Sequence, residues 1–231
     1  MSDTLSNHIS SNELKFFSKK TRDRVLASSL ILFNERGFSN VTTASIAKHA
    51  NVLEGSLWYH FNTKKDLLAE HVKILTNVFS NENKTVDSKD FKSIINGIFN
   101  SYEILWDLRY ILRDDFQNIL QKNCDVLLSV KKTNNYLDEW ADERIRHSSK
   151  IGLLNIDSKN TENISEIILI IGRYWMDFSK KKYPNESINN LRLKGLNQII
   201  TVLSPFLNPA VKSIVSGLLI TRDQFKTKQK K

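Results

Sequence analysis

The side chains best suited to binding chemistry lie close together in a stretch of about 20 residues that ends at Lys64. Trp58 and His60 carry N–H donors, and Lys64 follows Thr63, which has the spacing of a helix capping box with Asp66. The first turn of a helix attracts anions through its free backbone amides, so a lysine there suits an anionic partner better than it suits the helix dipole. These residues predict a surface that binds phosphate groups. The alternatives to phosphate binding are that Trp58 is half buried in the core and that Lys64 is a solvated lysine at the start of a helix.

No catalytic or metal-binding pattern accompanies these residues. Cys124 is the only cysteine, and no Gly-rich phosphate loop is present. The five histidines form no H-E-x-x-H or comparable ligand pair: His8, His49, His60, His71 and His147. We therefore expect neither an enzyme nor a protein with a metal or cofactor.

Composition narrows the class of partner. The 231 residues include 34 Lys and Arg against 25 Asp and Glu, a net charge of +9, which favours an anionic partner such as nucleic acid. A lone cysteine cannot form an internal disulfide, which is typical of the reducing cytoplasm. The N-terminus lacks the apolar core of a signal peptide, and the longest apolar stretches are far short of the ~20 residues of a membrane span. We expect a cytoplasmic protein with no membrane partner.

The elements that must position the binding residues are helices. All three prolines lie at Pro184 or beyond, so the first 183 residues contain no obligate helix breaker. Apolar side chains recur at helical spacing through most of the chain. The sequence therefore predicts an all-α fold.

Three short helices precede Lys64. The first runs from near Lys20 to Gly37, a residue that suits the left-handed position after a helix. Thr42 is placed to cap the second, and Asn51 tolerates the positive φ of a tight turn into the third. Two short helices joined by such a turn form a helix-turn-helix, whose second helix enters the DNA major groove.

This arrangement assigns the DNA contacts. The exposed start of the third helix would meet base edges, where Glu54 could accept a hydrogen bond from a cytosine amine. The basic flank before the first helix would meet the phosphate backbone and make binding salt-dependent. The predicted contacts are Thr42, Thr43, Ala44, Leu53, Glu54, Ser56, Trp58, Tyr59, His60 and Lys64.

A family resemblance follows from the same stretch. Its residues have the order and spacing of the TetR family of bacterial transcriptional regulators: Gly37-Phe38, Thr42, Ile46-Ala47, Ala50-Asn51-Val52, Gly55-Ser56-Leu57, His60-Phe61 and Lys64-Asp66-Leu67. The match covers roughly a fifth of the chain. Asn51 replaces the usual turn glycine, and Trp58 replaces the usual tyrosine and loses its hydroxyl.

The resemblance implies a homodimeric repressor that binds a near-palindromic operator on double-stranded DNA and responds to a small-molecule effector. In this family the later helices form an effector-binding and dimerisation body, and the last two long helices pair with their twins. Ile164 to Lys182 and Ile188 to Leu207 fit that place. The segment Trp106 to Asp115 also resembles a subgroup marked by a Y-R-F-x-x-R-D-like run.

We divide the chain into a mobile tail (1–14), a helix-turn-helix domain (15–66), a helical effector and dimerisation domain (67–220) and a basic tail (221–231). Ser80 to Asp90 and Asp157 to Asn163 are polar and predict loops. The alternative function is a helical protein-interaction or non-specific nucleic-acid-binding module without effector sensing.

Eight aromatic residues of the second domain are candidates for an apolar effector pocket, although aromatics at helical spacing are more often plain core: Phe99, Tyr102, Trp106, Phe116, Tyr136, Trp140, Tyr174 and Trp175. Arg109 or Arg113 could orient an anionic group of the effector. An ion pair with Asp114 or Asp115 is the alternative use of these arginines.

Overall fold

The computed structural model describes residues 18, 20–85, 90–122 and 124–216. These residues are helical throughout, apart from turns and one isolated bridge between Leu154 and Leu207, which confirms the all-α prediction. A 3₁₀ turn, Ser204–Phe206, and a helical segment at 209–216 follow the last long helix. The helices are α1 (Thr21–Arg36), α2 (Thr43–Ala50), α3 (Glu54–His60), α4 (Lys64–Thr85), α5 (Phe91–Asp107), α6 (Arg109–Arg113), α7 (Phe116–Ile119), α8 (Asp125–Lys150), α9 (Ser158–Lys182) and α10 (Ile188–Leu203). The two predicted tails, 1–14 and 221–231, lie outside the described residues.

The predicted signals at the short N-terminal helices are present. Thr42 and Ser45 form a reciprocal capping box at α2, and Thr63 and Asp66 form a second one where α4 begins. Asn51 has the left-handed conformation, with φ 52° and ψ 53°. Gly37 has a positive φ of 80°, but its ψ of 153° lies outside the left-handed helical region. Local side-chain chemistry therefore sets most of these ends.

Two predicted loops are wrong where the structure describes them. Helix α4 continues through Ser80 to Thr85, so only 86–89, outside the described residues, is left of the predicted loop before Asp90. Asp157 accepts a hydrogen bond from the backbone N–H of Asn160 and begins α9 at once. Polar residues fit the start of α9 because Lys159, Asn160, Glu162 and Asn163 lie on its exposed side.

The described core has two parts. One packs α1 to α4 against α6, α7 and the start of α8, around Phe33 and Tyr110. The other packs α5, α9, α10 and the end of α8 against 209–216. Helix α4 runs without interruption through the predicted domain boundary at 66/67, so that boundary stays a prediction.

Candidate nucleic-acid interface and effector cavity

The turn between α2 and α3 is held from two sides. The Asn51 N–H bonds to the Lys48 carbonyl at 3.1 Å, and the Val52 N–H bonds to the Ala47 carbonyl at 3.0 Å. Arg24 of α1 donates through Nη2 to the carbonyls of Ala50 (2.5 Å) and Asn51 (2.8 Å). The angle between α2 and α3 is therefore fixed by the backbone and by one arginine of the first helix.

The outer face of α3 is unusually exposed for its apolar content. Leu53 is 80% exposed and Tyr59 is 85% exposed, whereas Leu57 on the opposite face is fully buried. Trp58 is 42% exposed, so it is only partly a core residue. Four other predicted contacts are exposed: Thr42, Ala44, Glu54 and His60. Three are half-buried: Thr43, Ser56 and Lys64.

Two of the predicted DNA-contacting residues bond to each other. Thr43 Oγ1 at the start of α2 donates to Glu54 Oε1 at the start of α3, at 2.9 Å. This bond orients the Glu54 carboxylate and leaves its second oxygen able to accept a hydrogen bond from a partner.

Lys64 is engaged within the chain. Its Nζ donates to the carbonyls of Phe38 (2.6 Å) and Val41 (2.9 Å) and lies 4.4 Å from the centre of the Phe38 ring. Burial lowers the pKa of this ammonium. Since an ammonium has three donors, two carbonyls leave one for a phosphate.

The predicted basic flank is partly used for structure. Arg22 pairs with Glu70 of α4 at 2.5 Å and stacks over the Phe61 ring, with its guanidinium carbon 5.2 Å from the ring centre. Arg24 holds the turn, and nothing in the local sequence signals this contact between residues 26 positions apart. Lys20 remains exposed.

A cavity of about 130 Å³ lies in the second part of the core. Three of the eight candidate aromatics line it: Phe99, Tyr102 and Trp140. The other five lie elsewhere. Trp106 and Phe116 are plain core, Tyr136 and Tyr174 are exposed, and Trp175 donates through Nε1 to the Leu191 carbonyl at 2.7 Å.

Neither candidate arginine lines this cavity. Arg113 pairs with Asp114 at 3.3 Å and Asp177 at 3.3 Å, which is the ion-pair alternative. Arg109 is fully buried and donates to the Trp106 carbonyl at 2.6 Å, and this burial lowers its pKa to about 10.

Helix α9 carries an apolar stripe on its outer side. Ile167, Ile170, Tyr174 and Phe178 are spaced by three, four and four residues, and each is at least 41% exposed. The leucines and isoleucines of α10 lie largely inside the chain. Its exposed residues are polar: Asn190, Asn197, Gln198 and Thr201. Of these two helices, α9 is therefore the one with a large exposed apolar surface.

In the part of the chain that the structure describes, no helix is long and apolar enough to cross a membrane. No three metal-ligating side chains among those residues come together.

Fold and exposed recognition helix together define a helix-turn-helix DNA-binding regulator. A family model described as "Bacterial regulatory proteins, tetR family" matches residues 25–71, and one described as "Bacterial transcriptional repressor" matches residues 71–214. The second match spans more than half of the chain, so the protein belongs to the TetR family. Membership favours the regulator over the interaction module.

The curated relatives match part of the chain. The biofilm operon icaADBC negative transcriptional regulator IcaR of Staphylococcus aureus strain Newman is 35% identical over 74 residues, which is 30% of this chain and 40% of IcaR. The IcaR of Staphylococcus epidermidis is 29% identical over 58 residues, 25% of this chain and 31% of that protein. The chain thus spans at most about two fifths of the length of these relatives.

Solved structures match over most of the chain and show the fold. A TetR-family regulator from Marinobacter aquaeolei VT8 has a TM-score of 0.64 and 24% identity, covering 87% of this chain and 98% of that one. A gamma-butyrolactone receptor (ArpA-like protein) has a TM-score of 0.60 and 17% identity, covering 87% and 95%. SmeT in complex with triclosan has a TM-score of 0.53 and 16% identity, covering 83% and 93%.

Proposed function

We propose that the protein is a repressor that binds a near-palindromic operator as a homodimer and releases it when a small molecule occupies the cavity. The observation that carries the proposal is the outer face of α3, where Leu53 and Tyr59 are solvent-exposed beside Glu54. Large side chains in water are unfavourable unless a partner covers them, and the width of α3 suits the major groove. Repression is supported by the description of the family model that matches residues 71–214.

The dimer part rests on the stripe of α9. Four large side chains at helical spacing make one continuous apolar seam, which a second copy related by two-fold symmetry would cover with the same residues. The two helix-turn-helix domains of such a dimer would contact two half-sites about one turn of DNA apart. The operator is therefore expected to be a near-palindrome.

The dimer is tested by sedimentation at micromolar concentration. Ile170→Asp places a charge in the seam and is expected to give a monomer. Leu128→Asp is the matched control, because Leu128 is 50% exposed but belongs to α8, and it should leave the dimer intact. A native monomer, or equal effects of both changes, would contradict the seam.

Operator binding is tested by selection of bound sequences from a random duplex pool at fixed salt. We expect a palindromic consensus that binds ~10³-fold or more tightly than random DNA. Tyr59→Ala should abolish the enrichment without unfolding the protein, since Tyr59 is exposed. Glu54→Gln should keep the palindrome and change the preferred base at one position of each half-site, by the ~1–3 kcal/mol of a base contact. Absence of any enriched motif would overturn the proposal.

Effector response is tested on the selected operator. A ligand that drives release must bind the free state more tightly than the operator-bound state, and the DNA must weaken ligand binding by the same factor. Equal ligand affinity with and without operator would contradict the response.

A further inference from the structure

The walls of the cavity are almost entirely apolar. Helices α5, α8, α9 and α10 and the segment 209–216 contribute aliphatic and aromatic side chains, among them Ile95, Leu137 and Ile199. A dry apolar cavity of comparable size in another protein takes up benzene. The space of about 130 Å³ therefore suits one aromatic ring with a short hydrocarbon chain.

The polar side chains of the wall are few: Ser101, Tyr102, Arg144, Ser148 and Arg173. Most already have partners outside the cavity. The Ser101 hydroxyl donates to the Gly97 carbonyl at 2.8 Å, and the Tyr102 hydroxyl donates to the Arg192 carbonyl at 2.8 Å. Burial raises the pKa of Tyr102, so this phenol stays neutral.

The two arginines of the wall are engaged as well. Arg173 forms an ion pair with Asp138, and the Arg144 guanidinium carbon lies 5.5 Å from the centre of the Trp140 ring. An anion in the cavity would have to draw Arg173 away from Asp138 or Arg144 away from the Trp140 ring. A cation would meet only like charges and apolar walls, so a charged ligand of either sign would lose its hydration without a partner that is free to compensate for it.

Open space lies beside α9 at Gly172. It lies on the cavity wall in the interior of a 25-residue helix, and a Cβ built on it would have no atom within 4 Å. A glycine in mid-helix is destabilising relative to alanine, and here no packing contact requires it. Its absent side chain leaves the backbone of α9 accessible to a ligand.

We propose that the cavity binds an uncharged, apolar molecule of about one aromatic ring plus a short alkyl chain, seated against Gly172 of α9. The occupant touches α5 on one side and α9 on the other. The occupant therefore contacts the helix that carries the exposed stripe, but it touches none of the four residues of the proposed dimer seam. This inference rests on the proposed effector response and names the chemical class of that effector.

Three probes of one shape test the class: propylbenzene, 3-phenylpropanoate and 3-phenylpropylammonium. Binding is measured on the full chain by calorimetry and by the thermal midpoint of unfolding. Propylbenzene is expected to bind and, near a hundredfold excess over its Kd, to raise the midpoint by about 5–10 °C. The two ions should bind at least about tenfold more weakly. An ion that binds as tightly as propylbenzene, or no binding of propylbenzene, would overturn the proposal.

Variants of Gly172 and Ala141 test whether the ligand binds in this cavity against α9. Gly172→Leu fills the space and should lower the affinity for propylbenzene about tenfold or more, whereas Gly172→Ala should stay within about threefold of the native chain. If Gly172→Leu loses its helical circular dichroism, Ala141→Leu fills the cavity from α8 and should have the same effect. If a folded variant with leucine at either position bound propylbenzene as tightly as the native chain, the proposed binding position would be contradicted.

Failure of the class and failure of the proposed function are distinguishable. Propylbenzene binding with no change in operator affinity contradicts the effector response and supports the cavity chemistry. Operator release by one of the two ions, measured in the same assay, supports the response and contradicts the uncharged class.

Discussion

Lys64 shows how far a single residue can be predicted from sequence. Its position after Thr63 predicts a cation in the first turn of a helix, which the structure contains. The hydrogen bonds from its Nζ to the carbonyls of Phe38 and Val41 were not predictable, because they join residues 26 and 23 positions apart. Those bonds make Lys64 a bridge from α4 to the loop before α2, in addition to any phosphate contact.

Lys64→Met is expected to affect stability and DNA binding separately. Loss of two charge-assisted hydrogen bonds should lower the free energy of unfolding by about 2 kcal/mol. If the third donor contacts a phosphate, the slope of log K against log salt should fall by about 1. Urea unfolding and a salt titration on the selected operator measure the two effects. Lys65→Met is the control for charge alone, and an unchanged salt slope would leave Lys64 a structural residue.

At the scale of the element, caps are visible in sequence and long-range breaks are not. Thr42 and Asn51 mark the ends of α2 by their own chemistry. The break at Leu108 between α5 and α6 has no glycine or proline, so nothing in the local sequence predicts it. Asn34 of α1 makes the break, because its side chain bonds to the Asp107 carbonyl at 2.6 Å and to the Tyr110 N–H at 3.1 Å.

The contact of α10 with α5 and α9 depends on Gly195. A Cβ on this residue would lie 2.9 Å from Trp175 Nε1 and closer still to Tyr102 Oη. Neither ring can retreat freely, since both donate to backbone carbonyls of α10. Gly195→Ala should therefore lower the free energy of unfolding by about 1–3 kcal/mol. Thermal unfolding compares this variant with Gly172→Ala. The added methyl group has open space at Gly172, so this change should raise the free energy of unfolding by about 0.5–1 kcal/mol. Equal midpoints for the two variants would contradict the argument.

For the whole molecule, one buried histidine joins the DNA-binding helices to the body. His71 of α4 is fully buried, with Nε2 3.1 Å from the Leu26 carbonyl of α1 and Nδ1 2.7 Å from the Tyr110 hydroxyl of α6. A carbonyl only accepts, so Nε2 carries the hydrogen and Nδ1 accepts from Tyr110. The neutral ring thus satisfies both neighbours, and a second proton would remove the acceptor that Tyr110 uses.

Stability should therefore fall as the solution is acidified. Burial lowers the pKa of His71 from 6.5 to about 4, so between these values the unfolded chain binds a proton that the folded chain refuses. This residue should remove up to about 3 kcal/mol of the free energy of unfolding from pH 7 to pH 4. Urea unfolding across that range measures how steeply the free energy of unfolding depends on pH.

The control variant is His71→Gln, whose side chain can donate to Leu26 and accept from Tyr110 without titrating. Its free energy of unfolding should therefore depend less steeply on pH, by up to about 1.4 kcal/mol per pH unit. Carboxylates such as Glu70, whose pKa is lowered by Lys73 and Arg22 against the opposing effect of burial, contribute equally to both proteins. If the free energies of unfolding of the two proteins ran parallel against pH, protonation of His71 would not weaken the packing of α1, α4 and α6.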